Sequence, residues 1–215
     1  MKTRLNHIRG FFTAALLALA LSIPLSAASP SYHLMEVRQD KTVKSVTLSS
    51  KIPRLSGLTD ETGQAKRNAE FLEDSKKALV LAQIFRAKNG AENANASQGY
   101  QVSYAGESMI SLVIQTDFSA ANATASLKQG HTIRLSDAAS LTFADLFKQD
   151  SGYQQAVESM IQQQLQDFDY CLNPRQSYYL TEDSIVVLIG SASSFSQQEI
   201  PLAKSELQDY FKQAW

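Results

Sequence analysis

Two periodicities run along this chain, and the places where one gives way to the other outline its elements. Residues 32–38 and 42–51 are β-branched or alternate apolar with polar, which predicts two strands joined by a polar turn at 39–41. Pro53 and Gly57 break that pattern within residues 52–58. Thr59 or Asp60 can then cap a helix that runs towards Lys88. Its first half is amphipathic through Ala65, Ala69, Leu72 and Leu79. Its second half, residues 78–85, is apolar almost all round, which predicts deep burial.

Residues 89–98 are small, polar and low in complexity, so they read as a loop and as a boundary between two halves. Alternation returns at Tyr100, Val102 and Tyr104 and, after a turn at Ala105-Gly106-Glu107, at Ile110, Leu112 and Ile114. A further strand over 120–127 is expected to turn at Gln129-Gly130 into 132–135, which leaves His131 exposed beside the turn. The helix from Gly152 to about Phe168 carries one apolar stripe through Tyr153, Val157, Met160, Ile161 and Leu165, with Ser151 and Gln154 as a capping box. Strands over 177–180 and 185–189 follow, then a polar loop, 191–198, around the single apolar side chain of Phe195. A last helix after Pro201 places Ala203, Leu207, Tyr210, Phe211 and Ala214 on one face. This order predicts an α+β fold: an antiparallel sheet with helices packed on one side, a two-layer sandwich.

The first 28 residues stand apart from this pattern. Lys2, Arg4 and Arg9 precede an apolar run over 11–21, and Ser26-Ala27-Ala28 ends it, which is the layout of a secretory signal. The run is shorter than the roughly 20 apolar residues that span a bilayer, so membrane association is expected only through an uncleaved leader. The predicted organisation is therefore a signal peptide over 1–28, an N-terminal α+β half over 29–98 and a C-terminal α+β half over 99–215. The expected location is extracytoplasmic, either periplasmic or secreted.

Without its leader the chain keeps 17 basic residues against 21 acidic ones, with no Lys/Arg cluster. That balance argues against nucleic acid, which needs a basic face to neutralise phosphates. Cys171 is the single cysteine. An internal disulfide is excluded; a buried or half-buried thiol is the plain expectation, and an intermolecular bridge the sharper one.

No catalytic signature is visible. His33 and His131 lie nearly a hundred residues apart with Cys171 well beyond them, unlike the clustered ligands of a metal site. The chain past the leader has no G-x-S-x-G elbow and no glycine-rich phosphate cradle. Asp145, Asp150, Glu182 and Asp183 sit where caps and turns ordinarily use carboxylates. No cofactor is expected.

Four blocks together resemble a family of bacterial envelope domains, found in lysozyme-sensing anti-sigma factors and beside the catalytic domain of certain peptidoglycan deacetylases. They are Ile52-Pro53-Arg54-Leu55-Ser56-Gly57-Leu58 with Asn68 downstream; Leu141-Thr142-Phe143-Ala144-Asp145-Leu146-Phe147 running into Tyr153; Ser177-Tyr178-Tyr179-Leu180-Thr181 with Ile185-Val186-Val187; and Glu199-Ile200-Pro201-Leu202 with Glu206-Leu207. The chain departs from the family around 122–127, which lacks a Gly/His-rich turn, and over 191–198, which replaces an aromatic, proline-containing segment. The resemblance implies a non-catalytic envelope domain. Taken with the leader and the missing catalytic set, it leads to the expectation of a binding module that recognises an envelope protein (lysozyme-like) or cell-wall glycan such as peptidoglycan through its loops. Phe195, apolar in a polar loop, is the candidate contact residue, with a plug at the edge of the core as the plain alternative. An envelope polymer hydrolase with paired carboxylates, or a structural role through Cys171, are the alternatives.

Overall fold

Asp60 starts the first helix as its position suggests: its Oδ1 accepts the Gly63 N–H at 2.9 Å, and α1 runs Glu61–Lys88. The computed structural model describes residues 32–212 apart from Phe168 and Pro174. The leader and Ala214 lie outside these residues.

Two strands precede α1, β1 (His33–Val43) and β2 (Val46–Ser56). They form a hairpin whose turn lies at Lys44-Ser45 rather than 39–41. Both turn residues have positive φ, 48° and 64°, as a two-residue hairpin turn of the right twist demands, although neither is the Gly or Asn that would have marked it. β2 also continues through Pro53, where a break was expected. Its parallel partner β3 (Ala94–Ala105) pairs with it only from Val46 to Ser50, so Pro53 lies past the part of β2 that is flanked on both sides and its missing N–H is tolerated.

The segment read as a loop over 89–98 enters β3 at Ala94. Ala94, Ala96 and Gln98 face α1 and are buried, while Asn95 and Ser97 face away. Packing against the helix overrides the weak strand propensity of Ala, Asn and Ser. The expected division after Gln98 thus falls inside β3, which goes on to pair antiparallel with β4 (Met109–Ala120). β4 in turn pairs with β5 (Ala123–Arg134), giving a five-stranded sheet in the order β1-β2-β3-β4-β5. β5 passes straight through Gln129-Gly130, so the expected turn there does not form.

α1 lies across one face of this sheet, with Phe71, Ala78, Ala82 and Phe85 pressed against it. The deep burial expected for 78–85 holds for that side only: Val80 and Ile84 are 55% and 45% exposed. Small residues on both surfaces, Ala78 and Ala82 on the helix and Ala94 and Ala96 on β3, share one core cluster with Phe118 and Leu127.

Behind β4 and β5 stands a second sheet, β6 (Tyr178–Leu180), β7 (Ser184–Ser191) and β8 (Ser196–Ala203), in that order and antiparallel. β8 occupies residues read partly as loop and partly as the start of the last helix; it is an edge strand, where Pro201 is accommodated. Among the described residues, Lys204–Leu207 (α3) and one 3₁₀ turn, Gln208–Tyr210, follow it. β6 passes so near β5 that a side chain on Gly130 would meet the Tyr178 carbonyl oxygen, 1.7 Å from an ideal Cβ. The Leu180 N–H donates to Ser111 Oγ of β4 at 3.0 Å.

The helix α2 (Tyr153–Leu165) completes a separate core with Phe143, Phe147, Tyr178, Leu180 and Val187. Its expected capping box is not made. Gly152, at φ 75°, is the cap residue, and the Ser151 hydroxyl donates instead to the Lys148 carbonyl. Among the described residues the architecture is α+β, with eight mostly antiparallel strands in two sheets.

Candidate functional site

The strands of the large sheet alternate over the stretch where β2 to β5 lie side by side, and only one of their faces is roofed by α1. On the opposite face the side chains of β2 to β5 are small and polar, and the pairing register aligns them in rows. Thr47 opposes Asn95, Asn95 opposes Ser119, and Ser119 opposes Thr124; in the next row Ser49, Ser97, Asp117 and Ser126 stand side by side. Six of these eight are hydroxyl-bearing, and all but the half-buried Ser119 are exposed. Neighbouring strands lie about 4.8 Å apart, so each row is a closely spaced series of groups that both donate and accept.

This face is hollowed in two places. A groove of about 520 Å³ runs between it and the second sheet, with Lys51, Gln101, Gln115, Lys128, Tyr179 and Thr181 on its walls. A second hollow of about 620 Å³ lies over the first row. The two share Ser49, Ser97 and Asp117, and so form one continuous platform.

At the end nearest β6, Glu199 accepts from both the Tyr179 hydroxyl and Lys128 Nζ. Partial burial raises the Glu199 pKa, but the hydrogen bonds from Lys128 and Tyr179 outweigh it and hold the carboxyl below its ordinary value. Burial and the adjacent Glu199 charge push the Tyr179 phenol well above its own. Glu199 therefore stays ionised and Tyr179 stays a neutral donor.

A second polar cluster lies on the other face, beneath α1. His131, expected to be exposed beside a turn, is in the interior of β5 with its side chain 10% exposed, and its Nε2 stands 2.8 Å from Asp74 Oδ2. Phe71 meets the imidazole edge-on at 5.3 Å. Asp74 Oδ1 also accepts from Lys77 Nζ at 3.0 Å and Gln129 Nε2 at 3.3 Å. Burial alone would raise the Asp74 pKa; His131 and then Lys77 more than offset it, so the carboxylate titrates below its ordinary range. This pair went unseen because a turn was assigned to Gly130, whose real task is to let β6 pass.

The remaining sequence candidates are scattered. Phe195 is half-buried at the tip between β7 and β8, its ring against Phe85 and Phe118 at 4.8 and 5.4 Å. His33 is exposed at the start of β1. Cys171 is exposed rather than buried, in the connection between α2 and β6. Asp145 accepts from the Thr142 N–H and hydroxyl at 2.8 and 2.6 Å, the capping role its position suggests. Among the described residues no group of three or more His, Cys, Asp or Glu side chains is placed to hold a metal ion, and no helix is long and apolar enough to cross a membrane.

No protein-family model matches the sequence, and no curated protein does. The fold is nevertheless a known one. Two proteins of the DUF3298 family have similar crystal structures. One, from Bacteroides fragilis, is 11% identical with a TM-score of 0.58; the other, from Pseudomonas aeruginosa, is 10% identical with a TM-score of 0.55. Each match covers 86% of this chain and 95% of the other. Identity that low establishes shared architecture and nothing about ligand.

Proposed function

We propose that this protein is a non-catalytic, extracytoplasmic binding module whose uncovered sheet face holds a cell-wall glycan. The observation that carries this reading is the pair of hydroxyl and amide rows on four adjacent strands, opening into a groove with an aromatic hydroxyl at one end. Such a surface offers many weak, neutral hydrogen bonds and little net charge, the chemistry that suits a polyhydroxylated chain. The leader supports the address, and the four blocks support an envelope role.

The rival hydrolase reading needs two carboxyls, one kept protonated as the acid. Asp117 is the one carboxylate among the residues lining the groove, and the neighbouring Glu199 is held ionised. Both features favour holding a glycan over cutting it.

Co-sedimentation with purified peptidoglycan, beside a pull-down on immobilised lysozyme, tests the proposal. The protein is expected to pellet with peptidoglycan, and Ser97→Leu/Ser126→Leu to weaken that retention by about tenfold, the effect of losing one to two net hydrogen bonds. Phe195→Ala is expected to lower stability by about 2 kcal/mol, as a partly buried aromatic truncation, without changing retention. Capture by lysozyme alone, or glycan binding indifferent to the platform variant, would overturn the assignment.

A further inference from the structure

The two edges of the large sheet are treated very differently. At β5 the outer edge is closed. The Gln197 side chain accepts from the Lys128 N–H at 2.7 Å and donates to the Lys128 carbonyl at 2.9 Å. Further along, Leu141 N–H donates to the Thr132 carbonyl and Arg134 N–H to that of Ala139.

At β1 nothing comparable is present among the described residues. β1 pairs with β2 in unbroken register from His33 to Val43, with no bulge and no proline. It also carries three of the large apolar side chains that are most exposed: Met35 at 48%, Val37 at 41% and Val43 at 39%. Edge strands normally block pairing with bulges, prolines, lysines or brevity. Of these β1 carries one lysine, Lys41, towards its C-terminal end; the regular stretch before it, with Met35 and Val37 on one face, leaves pairing open.

The other face of β1 says what would cover it. Opposite Lys51 and Ser49 of β2 stand Arg38 and Asp40, with Glu36 two residues before, so charges of sign minus, plus, minus run along one side. Laid antiparallel on itself about Arg38, this series would set Arg38 on Arg38 and Glu36 on Asp40. Slid by two residues to centre on Val37, it sets Glu36 of each copy on Arg38 of the other, twice, with Val37 against Val37. Arg38 Nε already donates to Glu36 of its own chain at 2.7 Å, but it also lies directly across from Lys51, an unfavourable like-charge neighbour, so the partner copy's carboxylate adds a second counter-charge beside two positive groups.

We propose that β1 is the interface of a two-fold homodimer, in which two copies pair antiparallel through residues 33–41, centred on Val37, into one ten-stranded sheet. The side of β1 that bears Glu36 and Arg38 is continuous with the row of Ser49, Ser97 and Asp117. Pairing therefore joins the two polar platforms into one surface. The inference does not depend on what that surface binds.

Light scattering coupled to size exclusion, on the purified protein, reads the outcome as the mass of two chains or one. The protein is expected to be dimeric, and Glu36→Lys or Arg38→Glu alone to weaken dimerisation by about tenfold or more, since each places two like-charge pairs across the strands. The exchange Glu36→Lys/Arg38→Glu is expected to restore the dimer, and Asp40→Lys to leave it intact. Far-ultraviolet circular dichroism of each variant confirms folding. A monomeric wild-type protein, or a dimer indifferent to Arg38→Glu, would refute the interface; dissociation by Asp40→Lys rather than Glu36→Lys would refute the register.

Discussion

Replacing His131 by Leu tests whether the pair beneath α1 is a mutually dependent unit. Asp74 is 4% and His131 10% exposed at the side chain, with 2.8 Å between Nε2 and Oδ2. Breaking a buried pair from one side costs about 3–5 kcal/mol, because the remaining charge keeps its desolvation cost without its partner. Here Asp74 keeps Gln129 and Lys77. Lys77 is 66% exposed, so it offsets less than about 1 kcal/mol. The lost edge contact with Phe71 adds about 0.5–1 kcal/mol. His131→Leu should therefore destabilise by about 3 kcal/mol. The double variant Asp74→Leu/His131→Phe removes both polar partners, fills similar volume and retains an aromatic ring for Phe71. It should recover most of that loss, because a well-packed apolar pair replaces a buried polar one at little cost. Urea unfolding at pH 7, followed by circular dichroism with the slope checked for constancy, measures the cycle. A loss under about 1 kcal/mol for His131→Leu, or additivity of Asp74→Leu and His131→Phe, each made singly, within about 0.5 kcal/mol of the double variant, would show that the groups act independently.

Acid should expose the same pair. The Asp74 and Glu199 carboxyls, and that of Asp145 bonded to Thr142, titrate below their unfolded values. Each contributes stability that is present above the unfolded carboxylate pKa of about 4 and is lost as pH falls through the lower folded value. Urea midpoints at pH 7, 4 and 3 should decline, and less steeply in Asp74→Leu/His131→Phe; an identical decline in both would remove Asp74 from the account. Gly130→Ala should cost about 3 kcal/mol or more, or abolish folding, because its Cβ would sit 1.7 Å from the Tyr178 oxygen and strand backbone cannot shift as a flexible side chain would. Thermal unfolding reads this directly, and a near-neutral result would mean that β6 does not cross β5 there.

The resemblance blocks turn out to be made of fold-bearing contacts. Asn68 accepts from the Leu55 N–H at 2.8 Å and donates to the Leu55 carbonyl at 2.9 Å, which explains its place in the first block. In the second, Phe147 stacks on Tyr153 with ring centroids 4.3 Å apart. In the third, the Tyr178 hydroxyl donates to the Leu141 carbonyl at 2.9 Å. These residues pack and cap; the third and fourth blocks also supply one end of the groove, through Tyr179, Thr181 and Glu199, while the hydroxyl rows belong to none of the blocks. Fold was accordingly legible in the blocks while the rows of the candidate site were not. A serine or threonine exposed on a strand has no periodic or motif signal of its own, and it becomes a row only when neighbouring strands take their register.

Local chemistry alone determined where α1 and α2 lie, the caps at Asp60 and Asp145, the alternation of β4 and the α+β class, because each depends on residues within a few positions of one another. The tertiary structure decided the rest. It placed β3 beside β2 in parallel, drew the Asn/Ala/Ser segment into a strand, and buried His131 against Asp74 from 57 positions away in sequence. It also left one polar face and one straight edge uncovered among the described residues. Those outcomes follow from which surfaces meet across long stretches of chain, and no window of neighbouring residues contains that information.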